Sequence, residues 1–250
     1  MTRILLAIAA LAMGLGVAQA DGPHEGRFNW SGLYIGAHAG YGSGDWNVDL
    51  SHSTGAIFYN DPFKAPHQSL SANDGALGGL QAGFNRQLGV LVIGMEADVT
   101  WASMSAEGTF TTPLGSQWDI KSEIDMLGTV RGRIGMATGP LLFYATGGLA
   151  WAEIDTTQAT HFVDGKGKIY DEGGRTSGSN HHFGWVAGGG VEWMVMPNWT
   201  VRGEYLYYDL GSVDYGLRGT TKPDGKTPYV ETFSSDMQFH VVRGAVNYKF

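Results

Sequence analysis

The chain has no cysteine among its 250 residues, so neither a disulfide framework nor a lipid-modified cysteine can hold or anchor it. Charge is scarce as well: charged residues make up 16 % of the sequence, with 16 Lys and Arg against 24 Asp and Glu, a formal net charge of −8. With no basic stripe to meet a phosphate backbone, a nucleic-acid partner is excluded. Neither HExxH nor CxxC spacing occurs, which removes the commonest signatures of a metal centre. The glycine-rich run Gly40-Tyr41-Gly42-Ser43-Gly44 lacks the Lys-Ser/Thr of a nucleotide-binding loop. Ser51-His52-Ser53 sets a hydroxyl beside an imidazole, but adjacency is not triad geometry, so no catalytic activity and no cofactor are expected. Past the first twenty residues no segment is long and apolar enough for a membrane-spanning helix.

The first twenty residues have the layout of an export signal. Arg3 supplies the positive start, Ile4 to Val17 are apolar, and Ala18-Gln19-Ala20 is a small-x-small cleavage site that leaves Asp21 as the first mature residue. The apolar stretch of 14 residues is shorter than the ~18 to 20 a transmembrane helix needs. Residues 1–20 are therefore expected to be removed and residues 21–250 to form a single domain. Glycine is abundant, at 39 residues, and aromatics reach 12 %, which argues against both a helical bundle and a disordered chain.

Several segments alternate with the two-residue period of a strand. Leu91, Ile93, Met95, Ala97, Val99 and Trp101 share one parity, and Gly94, Glu96, Asp98 and Thr100 the other. Ile124, Met126, Val130, Ile134 and Met136 likewise interleave with Asp125, Thr129, Arg131 and Arg133, and Val242, Val246, Tyr248 and Phe250 with Arg243, Asn247 and Lys249. This predicts eight strands, at 30–42, 74–86, 90–103, 122–137, 141–154, 182–194, 199–210 and 236–250. The eight prolines all fall outside them, as closed ladders require. Short connections at Gln87 to Gly89, Thr138 to Pro140 and Val195 to Asn198 alternate with longer ones of roughly twenty to thirty residues, the asymmetry of an outer-membrane barrel.

Alternation alone does not separate a membrane barrel from a soluble one; aromatic placement does. Phe143 and Trp151, Trp185 and Trp193, and Trp199 and Tyr207 lie eight residues apart on the apolar parity. Eight residues at ~3.3 Å, tilted by ~40°, rise about 20 Å, close to the ~25 Å band between two aromatic girdles. The apolar parity thus faces outer-membrane lipid. The opposite parity carries Glu96, Asp98, Asp125, Arg131, Arg133, Glu192, Arg202, Glu204, Arg243 and Lys249, five acids and five bases expected in the interior. There they either pair as a polar plug or line an ion-conducting lumen.

Four short motifs point further: Trp30-Ser31-Gly32-Leu33-Tyr34-Ile35-Gly36-Ala37, Val191-Glu192-Trp193, Val201-Arg202-Gly203-Glu204-Tyr205 and the terminal Val246-Asn247-Tyr248-Lys249-Phe250. With them the chain resembles the small outer-membrane β-barrel family of Gram-negative bacteria, of the porin-family or outer membrane immunogenic protein type, across essentially all of residues 21–250. The resemblance implies an all-β, eight-stranded antiparallel up-and-down barrel in the cell outer membrane. It also implies that the barrel-assembly machinery reads the terminal aromatics, here Tyr248 and Phe250. The roles implied are surface antigen or envelope component, small-solute pore and, for some relatives, haemin binding. For haemin, His161, His181 and His182 are the candidate imidazoles, in or beside the long connection between the fifth and sixth predicted strands.

Overall fold

The computed structural model describes residues 28–54, 68–111, 117–163, 169–170, 176–220 and 228–250. The expected signal segment, with Ala18, Ala20 and Asp21, lies outside the described residues. Nine strands follow: β1 (Gly32–Thr54), β2 (Gln68–Leu88), β3 (Leu91–Thr111), β4 (Gln117–Thr138), β5 (Leu141–Val163), β6 (Ile169–Tyr170), β7 (Thr176–Met196), β8 (Trp199–Thr220) and β9 (Pro228–Lys249). β6 is a two-residue strand paired with the end of β5. The other eight are barrel staves, each antiparallel to its neighbours in chain order, and β9 returns to pair with β1 and close the ring.

The short turns form one rim. Gly89 and Gly139 take φ of 67° and 61° at the first position of two-residue loops, a conformation a side chain resists and one that matches the twist of the flanking strands. Pro197 occupies the third turn, where a register shift between Met194 and Met196 adjusts the ladder. The staves run 21 to 23 residues, well past the predicted ends. At ~3.3 Å per residue and a ~40° tilt, 22 residues rise about 55 Å, roughly twice the ~25 Å apolar band, so half of each stave stands beyond the membrane. Strand thus covers much of what the sequence was expected to leave as connections of twenty to thirty residues. Pro228, expected outside any strand, opens β9 as its first residue, where its missing N–H costs little.

The ring is complete only in its membrane half. The β2–β3 ladder runs from Leu88↔Leu91 to Leu77↔Ala102 and stops, and the β7–β8 ladder stops at Trp185↔Asp209. The other ladders continue outward, to Thr111↔Gln117 in β3–β4, Gln158↔Thr176 in β5–β7 and Thr220↔Pro228 in β8–β9. The outer wall is therefore two four-stranded leaves, β3-β4-β5-β7 and β8-β9-β1-β2, separated by two seams.

The outer face of the closed part is apolar. Leu80, Met95, Ile134, Leu149, Val242 and Val246 are among the large hydrophobic side chains exposed there. Trp199 packs edge-on against Tyr248, and Tyr248 against Phe250, at the short-turn end; Trp185 packs on Tyr207 at the other. In β4 the alternation slips: a register shift between Ile124 and Met126 reverses the parity of its outer part. Ile124, expected on the lipid face, is fully buried inside, and Asp125, expected inside, is exposed on the outer face.

Candidate functional site

The barrel interior contains the densest polar chemistry among the described residues, arranged in three layers. At the short-turn rim, Trp30, Val92, Ala137, Leu142, Tyr144 and Met194 form an apolar cluster. Trp30, which precedes β1, is held across the mouth by its backbone N–H donating to Gln87 Oε1 at 2.9 Å and its indole N–H directed to the Gly139 carbonyl at 3.4 Å. Toward the outer end lies a second apolar layer that includes Leu77, Met104, Ile124, Leu127, Ile154, Leu206, Tyr208 and Phe239, with the Tyr208 and Phe239 rings stacked at 4.6 Å.

Between them sit four carboxylates, Glu96, Asp98, Glu192 and Glu204, and four guanidinia, Arg131, Arg133, Arg202 and Arg243, with side chains between 0 % and 4 % exposed. Glu96 takes a bidentate contact from Arg202 at 2.6 and 2.8 Å, a third from Arg131 Nη2 at 2.5 Å and a fourth from the Tyr34 hydroxyl at 2.6 Å. Asp98 accepts from Arg131 at 3.0 Å and from the Thr129 hydroxyl at 2.5 Å. Glu204 accepts from Arg243 Nε at 2.7 Å, from Tyr144 at 2.8 Å and from Arg131 Nη1 at 3.2 Å. Glu192 accepts from Arg133 at 2.7 Å, Thr200 at 2.5 Å and Asn247 at 3.0 Å. The Arg133 guanidinium also lies 4.2 Å from the Tyr144 ring centroid. His38 extends the network, meeting Gln81 Oε1 at 3.1 Å and Thr100 Oγ1 at 2.9 Å.

Charge balance and geometry explain why this arrangement is tolerated in a low-dielectric interior. Four acids meet four bases, each carboxylate has several donors, and planar guanidinia match carboxylates two bonds at a time. Glycines make the room. Gly83 lies under the Tyr34 ring, where a Cβ would come within 2.4 Å of Cζ, and Gly190 lies under the Tyr144 hydroxyl at 2.8 Å.

Of the ten charges expected inside, the structure places these eight in the central layer. Asp125 is outside, as described, because of the β4 bulge. Lys249 is half-buried at the short-turn rim, away from the network, and its ammonium donates to the Asn29 carbonyl. The polar participants Tyr34, Tyr144, His38 and Gln81 were missed by a search for charge alone; each lies on the inward parity of its strand, which is the signal that finds them.

The three histidines do not converge. They lie on strands and not in a loop: His161 on β5, opposite Gln117, and His181 and His182 on β7, opposite Glu153 and Ala152. Adjacent residues point to opposite faces, and so His181 is exposed while His182 is buried. His161 is eight residues along β5 from the partner of His181, about 26 Å of extended chain. Among the described residues no group of three or more His, Asp or Glu is placed to hold a metal ion.

The chain matches the family model described as outer membrane protein beta-barrel domain over residues 7–250. It is 31 % identical to the 31 kDa outer-membrane immunogenic protein of Brucella melitensis, over 98 % of this chain and 95 % of that protein. It is also 30 % identical to the 22 kDa outer membrane protein of Rhizobium leguminosarum, over 79 % of this chain and 72 % of the relative. Among solved structures, the outer membrane protein OprG of Pseudomonas aeruginosa superposes with a TM-score of 0.53, covering 90 % of this chain and 99 % of that one at 13 % identity, a likeness of fold.

Proposed function

Because this chain belongs to the outer membrane protein β-barrel family and resides in the cell outer membrane, we propose that it is a sealed, non-conducting barrel, an envelope component that presents its outer strands at the cell surface and has no catalytic role. One observation carries this reading: all eight central charges are paired with one another, at 0 % to 4 % exposure, between two apolar layers. A diffusion pore of this width needs a continuous hydrated path past its charged residues. Charges locked into mutual contacts and roofed by Leu206, Tyr208 and Phe239 do not supply one. The relatives' names describe immunogenic proteins, and two exposed leaves beyond the membrane are the parts of this chain an immune system would meet.

Tyr248 and Phe250 serve in this reading as the terminal aromatic signal for the barrel-assembly machinery. Phe250 is 66 % exposed on the lipid-facing side, and its N–H is tied to the Leu33 carbonyl at 3.0 Å. Haemin binding through His161, His181 and His182 has no support from their placement. The test of the sealed lumen is ionic conductance of the refolded barrel in a planar lipid bilayer. A folded, heat-modifiable protein that inserts and stays silent is expected; stable single-channel steps that change ion preference in Arg131→Gln would overturn the proposal.

A further inference from the structure

The two seams point to an activity that a sealed barrel does not itself supply. A sheet edge cannot stand in hydrocarbon, because its N–H and C=O groups find no partner there. In this chain the ring stays closed through the membrane half and parts at the level of the outer aromatics: β3 leaves β2 just past exposed Trp101, and β8 leaves β7 just past Trp185 and Tyr207. Beyond that level four edges run outward: 68–76 of β2, 103–111 of β3, 176–184 of β7 and 210–220 of β8, still in contact at their feet, where Gly75, Met104 and Leu210 are buried. Among the described residues no backbone ladder joins either pair of edges across its seam.

The two partings are built alike. In each, one strand carries a bulge at the point of departure. β3 shifts register against β4 between Trp101 and Met104, and β8 shifts against β9 between Asp209 and Ser212, where Gly211 takes φ of 70°. In each, the facing strand supplies a glycine at the foot of the seam. A Cβ on Gly75 would come within 2.3 Å of the Ser103 carbonyl oxygen, and one on Gly184 within 2.0 Å of the Asp209 carbonyl oxygen. Bulges bend a strand out of its sheet, and the glycines let the backbones stay in contact one or two residues past the last paired rung before they part. The same device on opposite sides of the ring marks the seams as part of the architecture.

The edge sequences lack what normally blocks pairing. Exposed edges are usually guarded by lysine, proline or a high density of charge. None of the four carries lysine or proline; 68–76 has one charged residue, Asp74, 103–111 has one, Glu107, 176–184 has no Asp, Glu, Lys or Arg, and 210–220 has two of opposite sign, Asp214 and Arg218. An unguarded, nearly uncharged edge of nine residues in water fits a polypeptide. Backbone pairing supplies the affinity for such a partner.

We propose that the seams are strand-acceptor sites, where an extended, weakly charged polypeptide segment from outside the cell adds to an open leaf edge by backbone hydrogen bonding. The proposal uses the outer-membrane placement and not the sealed lumen, so a conducting barrel would leave it standing. The test is residue-resolved amide hydrogen exchange on the full folded chain in nanodiscs. It is run with and without a nine-residue synthetic peptide copying residues 103–111, and with a control peptide carrying proline at every second position. Without peptide, seam-facing amides in 68–76 and 176–184 should exchange much faster than amides of the same leaves in β1 and β5. The copying peptide should slow exchange at least tenfold at alternate residues of an edge, since every second N–H of a strand points to the same side, and the control should not. Edge amides already as slow as those inside the leaves would overturn the proposal by showing the seams closed. Fast edge amides untouched by millimolar peptide, or slowed without the two-residue period, would overturn it equally.

Discussion

Replacing Glu96 by glutamine keeps the shape of the side chain and removes its charge. In the folded barrel Glu96 accepts four hydrogen bonds, three from the guanidinia of Arg131 and Arg202 and one from Tyr34. The amide keeps one acceptor oxygen but turns an N–H₂ donor toward Arg donors, so two guanidinia lose their closest counter-charge and the central layer goes from balanced to one excess positive charge. Hydrogen bonds to charged groups are worth about 1.5–3 kcal/mol each, but the losses overlap, and breaking a buried ion pair from one side typically costs about 3–5 kcal/mol. Glu96→Gln should therefore lower the unfolding free energy by about 3–5 kcal/mol, measured by urea titration of the barrel refolded in lipid vesicles with tryptophan fluorescence and gel mobility as independent probes. Pairing it with Arg202→Met restores the charge balance, and the double variant should regain at least about 1.5 kcal/mol relative to the sum of the singles. A loss below about 1 kcal/mol for Glu96→Gln, with no coupling to Arg202, would refute the dry, sealed network, because a hydrated lumen would solvate the stranded guanidinia.

Two further outcomes follow from the same geometry. Gly83→Ala drives a Cβ into the Tyr34 ring and should cost about 1–3 kcal/mol in the same titration, whereas Gly203→Ala, whose Cβ would meet nothing within 4 Å, should stay within about 0.5 kcal/mol; equal effects would show that Tyr34 is free to move. Phe250→Ser should leave refolding into detergent nearly unchanged but sharply reduce the amount of heat-modifiable barrel in the outer membrane of intact cells, and unchanged levels in cells would remove Phe250 from any assembly signal.

How much was legible is clearest strand by strand. The membrane halves of β3, β4 and β9 were readable because each sits between lipid and a polar lumen, and that contrast stamps a two-residue period on the side chains. The outer extensions, such as 104–111 and 176–181, were read as loops. Water lies beyond them, neither face demands apolar residues, and a strand held by backbone pairing alone leaves little pattern. The β4 bulge explains the misplacement of Ile124 and Asp125: one extra residue reverses every parity beyond it, and nothing in the local sequence announces it.

The sequence by itself determined that eight segments cross the membrane, which face of each meets lipid, where the aromatic girdles lie and that the interior is charged, since all of these follow from alternation, length and composition along single strands. Only the tertiary structure decided which charges meet. Arg202 reaches Glu96 across 106 residues and Arg243 approaches Asp98 across 145, through a register no single strand encodes. Closure likewise decided that four acids and four bases pair off between two apolar layers, and that the ring parts into two leaves once water takes the place of lipid. Periodicity records a residue's environment, but contacts across a barrel depend on the stagger of all its strands at once.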